Sequence, residues 1–126
     1  MKPFFTNIEK KTLQNNFYRK VLHTGKKIQL VVMSLKPAED IPKETHHHID
    51  QFIRVEKGHA KIIVGDKTFS LKSDDSIIIP AGSPHYVKNV SFSSSLKLYS
   101  IYSPPEHKPG TIHKTRQEAI DAEESH

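Results

Sequence analysis

What most restricts the folds open to this chain is a series of short runs rich in Val, Ile and Leu, each closed within a few positions by turn residues. In KIQLVVMSL (residues 27–35), Gln29, Val31, Met33 and Leu35 share one face, and Ile28, Leu30 and Val32 the other, because successive side chains on a strand point to opposite sides. Apolar residues on both faces predict a strand covered on both sides. QFIRV (51–55) and HAKIIVG (59–65) flank a short EKG turn in which Gly58 supplies a positive φ. VGDKTFSL then predicts a hairpin with Gly65-Asp66 as its two-residue turn. SIIIP (76–80), HYVKNV (85–90) and SLKLYSIY (95–102) bring the expectation to about eight short strands. Strands this short and this closely spaced predict an all-β antiparallel sandwich or barrel.

The C-terminal part differs. SPPEHKPGTIH (103–113) carries too much proline for an interior strand and predicts an ordered arm along the body. In TRQEAIDAEE, Thr115 with Glu118 three residues on matches a capping box and predicts a short final helix. The last residues, EESH (123–126), are expected to fray. At 126 residues the chain is expected to form one domain, 1–126, with a core over about 27–103 and with 104–126 as arm and helix.

Composition narrows the chemistry. The chain has no cysteine, which excludes disulfides, thiolate metal sites and cysteine nucleophiles. No run approaches the roughly 18–20 apolar residues of a membrane span, and the start MKPFFTNIEKK lacks the layout of a secretory signal. A cytoplasmic protein is therefore expected. The net charge of +5 is dispersed along the chain, with an acidic C-terminal end. No basic helix is interleaved with stacking aromatics, so no nucleic-acid partner is expected.

The chemistry concentrates in PKETHHHIDQFIRVEKG (42–58). Strand alternation puts Glu44, His46 and His48 on one face and His47 on the other. Gln51 opens the next strand, whose Ile53 and Val55 face inward while Arg54 points out. Another histidine, His85, stands in PAGSPHYVKN (80–89). An inward carboxylate such as Glu44 calls for a cation to offset its burial. A structural reading stands beside each residue: a buried histidine on a main-chain carbonyl, or an amide that pins a turn.

PAGSPHYVKN resembles the second motif of the cupin superfamily, P-x-G-x-x-H-x-x-x-N, through Pro80, Gly82, His85 and Asn89. Counting back from Gly58 in the first motif, G-x5-H-x-H-x3–4-E-x6-G, places Gln51, His46 and Glu44 where the family has glutamate, histidine and histidine. Ala38 and Asp74 occupy positions where each motif opens with glycine. DQFIRVEKG and LKLYSIYSPPEHKPGTIHKT are similar to small single-domain cupins grouped by sequence with mannose-6-phosphate isomerase. The resemblance implies a cupin double-stranded β-helix, a jelly-roll barrel with a short C-terminal helix.

It also implies a divalent metal held by Glu44, His46, Gln51 and His85. Two oxygen and two nitrogen donors suit Mn, Fe, Ni or Zn rather than a soft ion. The expected use is a metal-dependent isomerase or tautomerase acting on a small polar substrate such as a sugar or keto acid. The alternatives are a non-catalytic module that binds a metal or small molecule, and an O₂-dependent dioxygenase. His48, Tyr99 and Tyr102 are the candidates for acid–base work; the two tyrosines lie on opposite faces of the last strand, and sequence does not choose between them. His107 and His113 on the arm are placed either over the barrel mouth or on the surface. A homodimer is expected from the resemblance.

Overall fold

A computed structural model describes residues 2–124. Helix α1 (Ile8–Gln14) leads into β1 (Arg19–Thr24), β2 (Gln29–Leu35), β3 (Asp40–Glu44), β4 (Asp50–Lys57), β5 (His59–Val64), β6 (Lys67–Lys72), β7 (Ser76–Ile79), β8 (His85–Asn89), β9 (Leu96–Ser103) and β10 (Ile112–His113), and α2 (Arg116–Glu124) follows. The strands form a six-stranded sheet in the order β10-β1-β2-β9-β4-β7 and a four-stranded sheet in the order β3-β8-β5-β6. All pairings are antiparallel. This two-sheet, mostly β architecture with a short C-terminal helix is the expected barrel.

The inner faces follow the predicted alternation. Val31, Met33, Leu35, Ile53, Val55, Leu96 and Leu98 from the larger sheet pack with Ile41, Ala60, Ile62, Leu71 and Val87 from the smaller one. Arg54 points away, donating to Glu56 and Asp74. The strand expected to be covered on both faces is β2: Val32 is fully buried on its outer side, where α1 packs. Lys97, on the same outer side of β9, donates to Asn15 O, Asn16 Oδ1 and Ser34 Oγ, which anchors the segment after α1.

Turn chemistry places the crossings. Gly65-Asp66 closes the β5–β6 hairpin, with Val64 opposite Lys67. Gly58, at φ +97°, does not close a hairpin: β4 pairs with β7 and β9, while β5 pairs with β6 and β8. It carries the chain from one sheet to the other, where a Cβ would come within 2.8 Å of Ser95 O. Ala38 and Asp74 have φ of 64° and 77°. Both keep the left-handed backbone that glycine would adopt more easily, at a cost of about 1–2 kcal/mol each.

The arm is ordered by Gln29, which is fully buried. Gln29 Oε1 accepts from Glu106 N and His107 N at 3.1 and 2.9 Å, and its Nε2 donates to His107 O at 2.7 Å. Helix α2 begins as expected, with Thr115 Oγ1 accepting from Glu118 N. It is pinned by Arg116, whose Nε donates to Asp40 Oδ1 at 3.0 Å. Of the stretch expected to fray, Ser125 and His126 lie outside the described residues.

Candidate metal centre

The site is assembled by cross-strand pairing at one end of the barrel. β3 and β8 set Glu44 directly opposite His85. A register shift between Ile41 and Glu44 turns the Glu44 side chain onto the same inner face as Ile41. β3 ends at Glu44, so strand alternation does not govern the histidines that follow. His46 enters from a loop whose main chain is tied to the second motif, with Gly82 N donating to His46 O at 2.8 Å. His47 and His48 lie exposed on the turn. His48 is therefore not on the face of Glu44 and His46, contrary to the alternation reading, because the strand stops four residues before it.

One ligand atom from each of Glu44, His46 and His85 lies within 4.8 Å of the others, a group that could hold a metal ion. Glu44 Oε1 is 3.2 Å from His46 Nε2 and 3.4 Å from His85 Nε2. His85 Nδ1 sits 3.1 Å from Ser83 O; assigning the proton to Nδ1 leaves the Nε2 lone pair facing Glu44. Both Nε2 atoms are buried and lack a hydrogen-bond partner of good geometry. Burial works to raise the Glu44 carboxyl, but the two imidazoles outweigh it and hold that carboxyl well below the usual range. Burial works to lower His46, yet hydrogen bonds to Glu106 and Glu44 prevail and raise it to about 9.

Gln51 joins this end from β4. It is 3% exposed, and its Nε2 donates to Ser100 Oγ at 3.2 Å and Tyr102 Oη at 3.3 Å. Its Oε1 is buried with no partner. Three buried donor atoms without acceptable partners, beside one carboxylate, fit a cation with nitrogen and oxygen ligands.

Tyr102, not Tyr99, belongs to the site. Its ring meets His46 edge-on at 5.8 Å and His107 at 5.2 Å, and burial raises its hydroxyl far above the ordinary value. Tyr99 lies on the outer face beside Phe52. Two arm residues complete the surroundings. Glu106 Oε2 is 3.2 Å from His46 Nδ1, the carboxylate–histidine arrangement that orients a metal-binding imidazole. His107 packs inward, and burial followed by the nearby Arg19 lowers it to about 4. His113 Nδ1 lies 3.2 Å from Arg19 Nη1. Glu106 and Arg19 were not found by sequence reasoning; a Pro-rich arm and a strand of mixed polarity give no spacing that points to a site.

The sequence profile of the cupin domain matches residues 31–102, and this chain belongs to the cupin family. It is similar to the uncharacterized Bacillus subtilis protein YrkC, 43% identical over 98% of this chain and 69% of that protein. An uncharacterized Acanthamoeba polyphaga mimivirus protein, L612, is 44% identical over 92% of this chain and 74% of its own length. The crystal structure of BH2720 from Bacillus halodurans superposes with a TM-score of 0.92 at 41% identity, covering 95% of both chains. A Salmonella typhimurium mannose-1-phosphate guanylyltransferase, RfbM, is 29% identical over 66% of this chain but only 17% of that protein.

Proposed function

We propose that this cupin binds one divalent metal ion through Glu44, His46, Gln51 and His85, and uses it as an isomerase- or tautomerase-like enzyme on a small polar substrate. The observation that carries this reading is the convergence of His46 Nε2 and His85 Nε2 on the Glu44 carboxylate, both buried without a hydrogen bond of good geometry, with Gln51 Oε1 buried and unpartnered. Mn, Fe, Ni or Zn suits the donor set, and a bound ion would supply Lewis acidity toward a substrate oxygen. Ser83 O and Glu106 orient the two imidazoles. Tyr102 holds a proton at Oη beside the site, while His48 and Tyr99 have no part in it. Kinship with a mannose-phosphate enzyme supports a sugar-like substrate, and a keto acid has the same oxygen-rich chemistry.

The test is elemental analysis of untagged protein purified without chelator, alongside His85→Ala. About one Mn, Fe, Ni or Zn per chain, lost in the variant, is expected; no metal in either protein after loading would leave a small-molecule-binding barrel. A second reading, an O₂-dependent dioxygenase, is favoured by the two-histidine, one-carboxylate group of His46, His85 and Glu44. Oxygen uptake by the iron-loaded protein with substrate separates it from the first. We further propose a cytoplasmic homodimer. Ile78, Phe52, Ile101 and Leu30 stand in cross-strand register on the outer face of the larger sheet, and this apolar row supports a partner copy, which light scattering would detect. No helix among the described residues is long and apolar enough to cross a membrane.

A further inference from the structure

The chain has three arginines, and two of them are neutralised. Arg54 donates from Nε to Glu56 Oε1 at 2.7 Å and from Nη2 to Asp74 Oδ1 at 2.9 Å. Arg116 donates from Nε to Asp40 Oδ1 at 3.0 Å, with Nη2 2.9 Å from the same oxygen. Arg19 is the exception. It is only 4% exposed, yet among the described residues it makes no ion pair, and its Nε has no partner. Its other contacts are His113 Nδ1, 3.2 Å from Nη1, and the Tyr18 ring, 5.5 Å away. A guanidinium does not give up its charge on burial, so this one, with the neutral His113 Nδ1 as acceptor, lacks the anionic acceptor that would offset its desolvation.

Its position says what that acceptor would be part of. Arg19 lies opposite Met33 on β2, on the inner face of the larger sheet. It borders two spaces. One is a crevice of about 30 Å³ that the metal-site residue Glu44 also lines. The other is a cavity of about 510 Å³ shared with Glu106, His107, Lys108, Thr111 and Glu123. His107 Nε2 is a second buried nitrogen without a partner on that cavity. Glu106 is already engaged with His46. That sets Arg19 and Lys108 against Glu123 and leaves one net positive charge, which suits a single carboxylate better than a dianion such as phosphate.

We propose that Arg19 is the substrate's carboxylate-binding residue, and that the ligand is a small hydroxy or keto acid. The carboxylate takes the Arg19 guanidinium, His107 borders the same ligand, and the remaining oxygens face Glu44 across the narrow crevice it shares with Arg19. The last contact rests on the metal-centre reading above; the first two do not.

The test follows the Arg Nε–H resonances of ¹⁵N-labelled, metal-loaded protein during titration with lactate and glucuronate, against their neutral counterparts 1,2-propanediol and glucose. Either acid should shift the Arg19 resonance and spare those of Arg54 and Arg116; the neutral compounds should not shift it. In Arg19→Met, affinity for the acid should fall at least tenfold with metal content unchanged, and Arg19→Lys should restore part of it. An Arg19 resonance indifferent to both acids, or equal binding by Arg19→Met, overturns the proposal. Inorganic phosphate binding more tightly than either acid overturns the carboxylate assignment. If Arg19→Met does not fold, the wild-type titration still decides. Metal is measured on the same samples: a metal-free protein whose Arg19 still responds to acid keeps the anion site and discards the metal reading, whereas a metal-loaded protein with a silent Arg19 does the reverse.

Discussion

Asn89 and Gln51 are both amides buried within the barrel, 0% and 3% exposed, at opposite ends of it. Asn89 is fully employed. Its Nδ2 donates to Leu35 O, Lys36 O and Ser94 O, and its Oδ1 accepts from Ser91 N. Gln51 is half employed, with Nε2 bonded and Oε1 left alone. Around Asn89 the barrel is closed by Leu35, Leu96 and Ala60, all 2% exposed or less. Gln51 bonds Tyr102, whose ring meets His46 and His107 edge-on, and His46 converges with His85 on Glu44, their Nε2 atoms buried without a hydrogen bond of good geometry. The contrast separates polar groups that hold the fold from polar groups kept available for something else, since an unsatisfied buried donor or acceptor destabilises unless a ligand completes it.

The comparison can be broken by substitution. The largest effect is expected for Asn89→Leu, which leaves three carbonyls and one N–H without their partner. Unfolding in urea should show a loss of about 3–4 kcal/mol, with metal stoichiometry unchanged in the folded fraction. Metal retained but stability untouched would remove the distinction between the two ends.

Glu106→Gln comes next. It weakens the hold on His46 Nδ1 and should lower metal affinity about 10- to 100-fold, measured by competition with a chelator. The same variant tests the electrostatics of the metal-free protein. His46 is raised to about 9 by the carboxylates of Glu106 and Glu44 against the effect of burial. A raised folded-state value gives stability that is complete below the unfolded value of about 6.5 and is lost as pH rises toward about 9. Metal-free wild-type protein should therefore lose on the order of 1–2 kcal/mol across that window, and Glu106→Gln should flatten the slope.

Gln51→Leu should lower metal affinity roughly tenfold while changing metal-free stability by less than about 1 kcal/mol, because the leucine removes an unsatisfied oxygen along with two long hydrogen bonds. A stability loss like that of Asn89→Leu would make Gln51 structural. The smallest effect is expected for His48→Ala. An exposed turn residue should change stability by no more than about 0.5 kcal/mol and leave the bound metal in place.

Local chemistry made much of this legible. Alternation placed Ile53, Val55 and Arg54 correctly, and Gly65-Asp66 announced a hairpin. Motif spacing singled out Glu44, His46, Gln51 and His85, even where Ala38 and Asp74 replace glycine at positive φ. The same alternation failed at His48, because the bulge after Ile41 and the end of β3 at Glu44 break the period of two. Tyr99 and Tyr102 were indistinguishable until the faces of β9 were assigned by pairing with β2 and β4.

By itself, then, the sequence determined the strand-rich class, the cupin motifs and the residue types able to hold a metal. These depend on side-chain chemistry and on periods of two to six residues. Only the tertiary structure decided that Glu106 reaches His46, that His107 turns inward beside Tyr102, and that Arg19 is buried without a counter-charge. Those contacts join β1, the barrel and the C-terminal arm, and no local pattern encodes them. They exist because Gln29 binds the arm's backbone and the two sheets close around a shared interior.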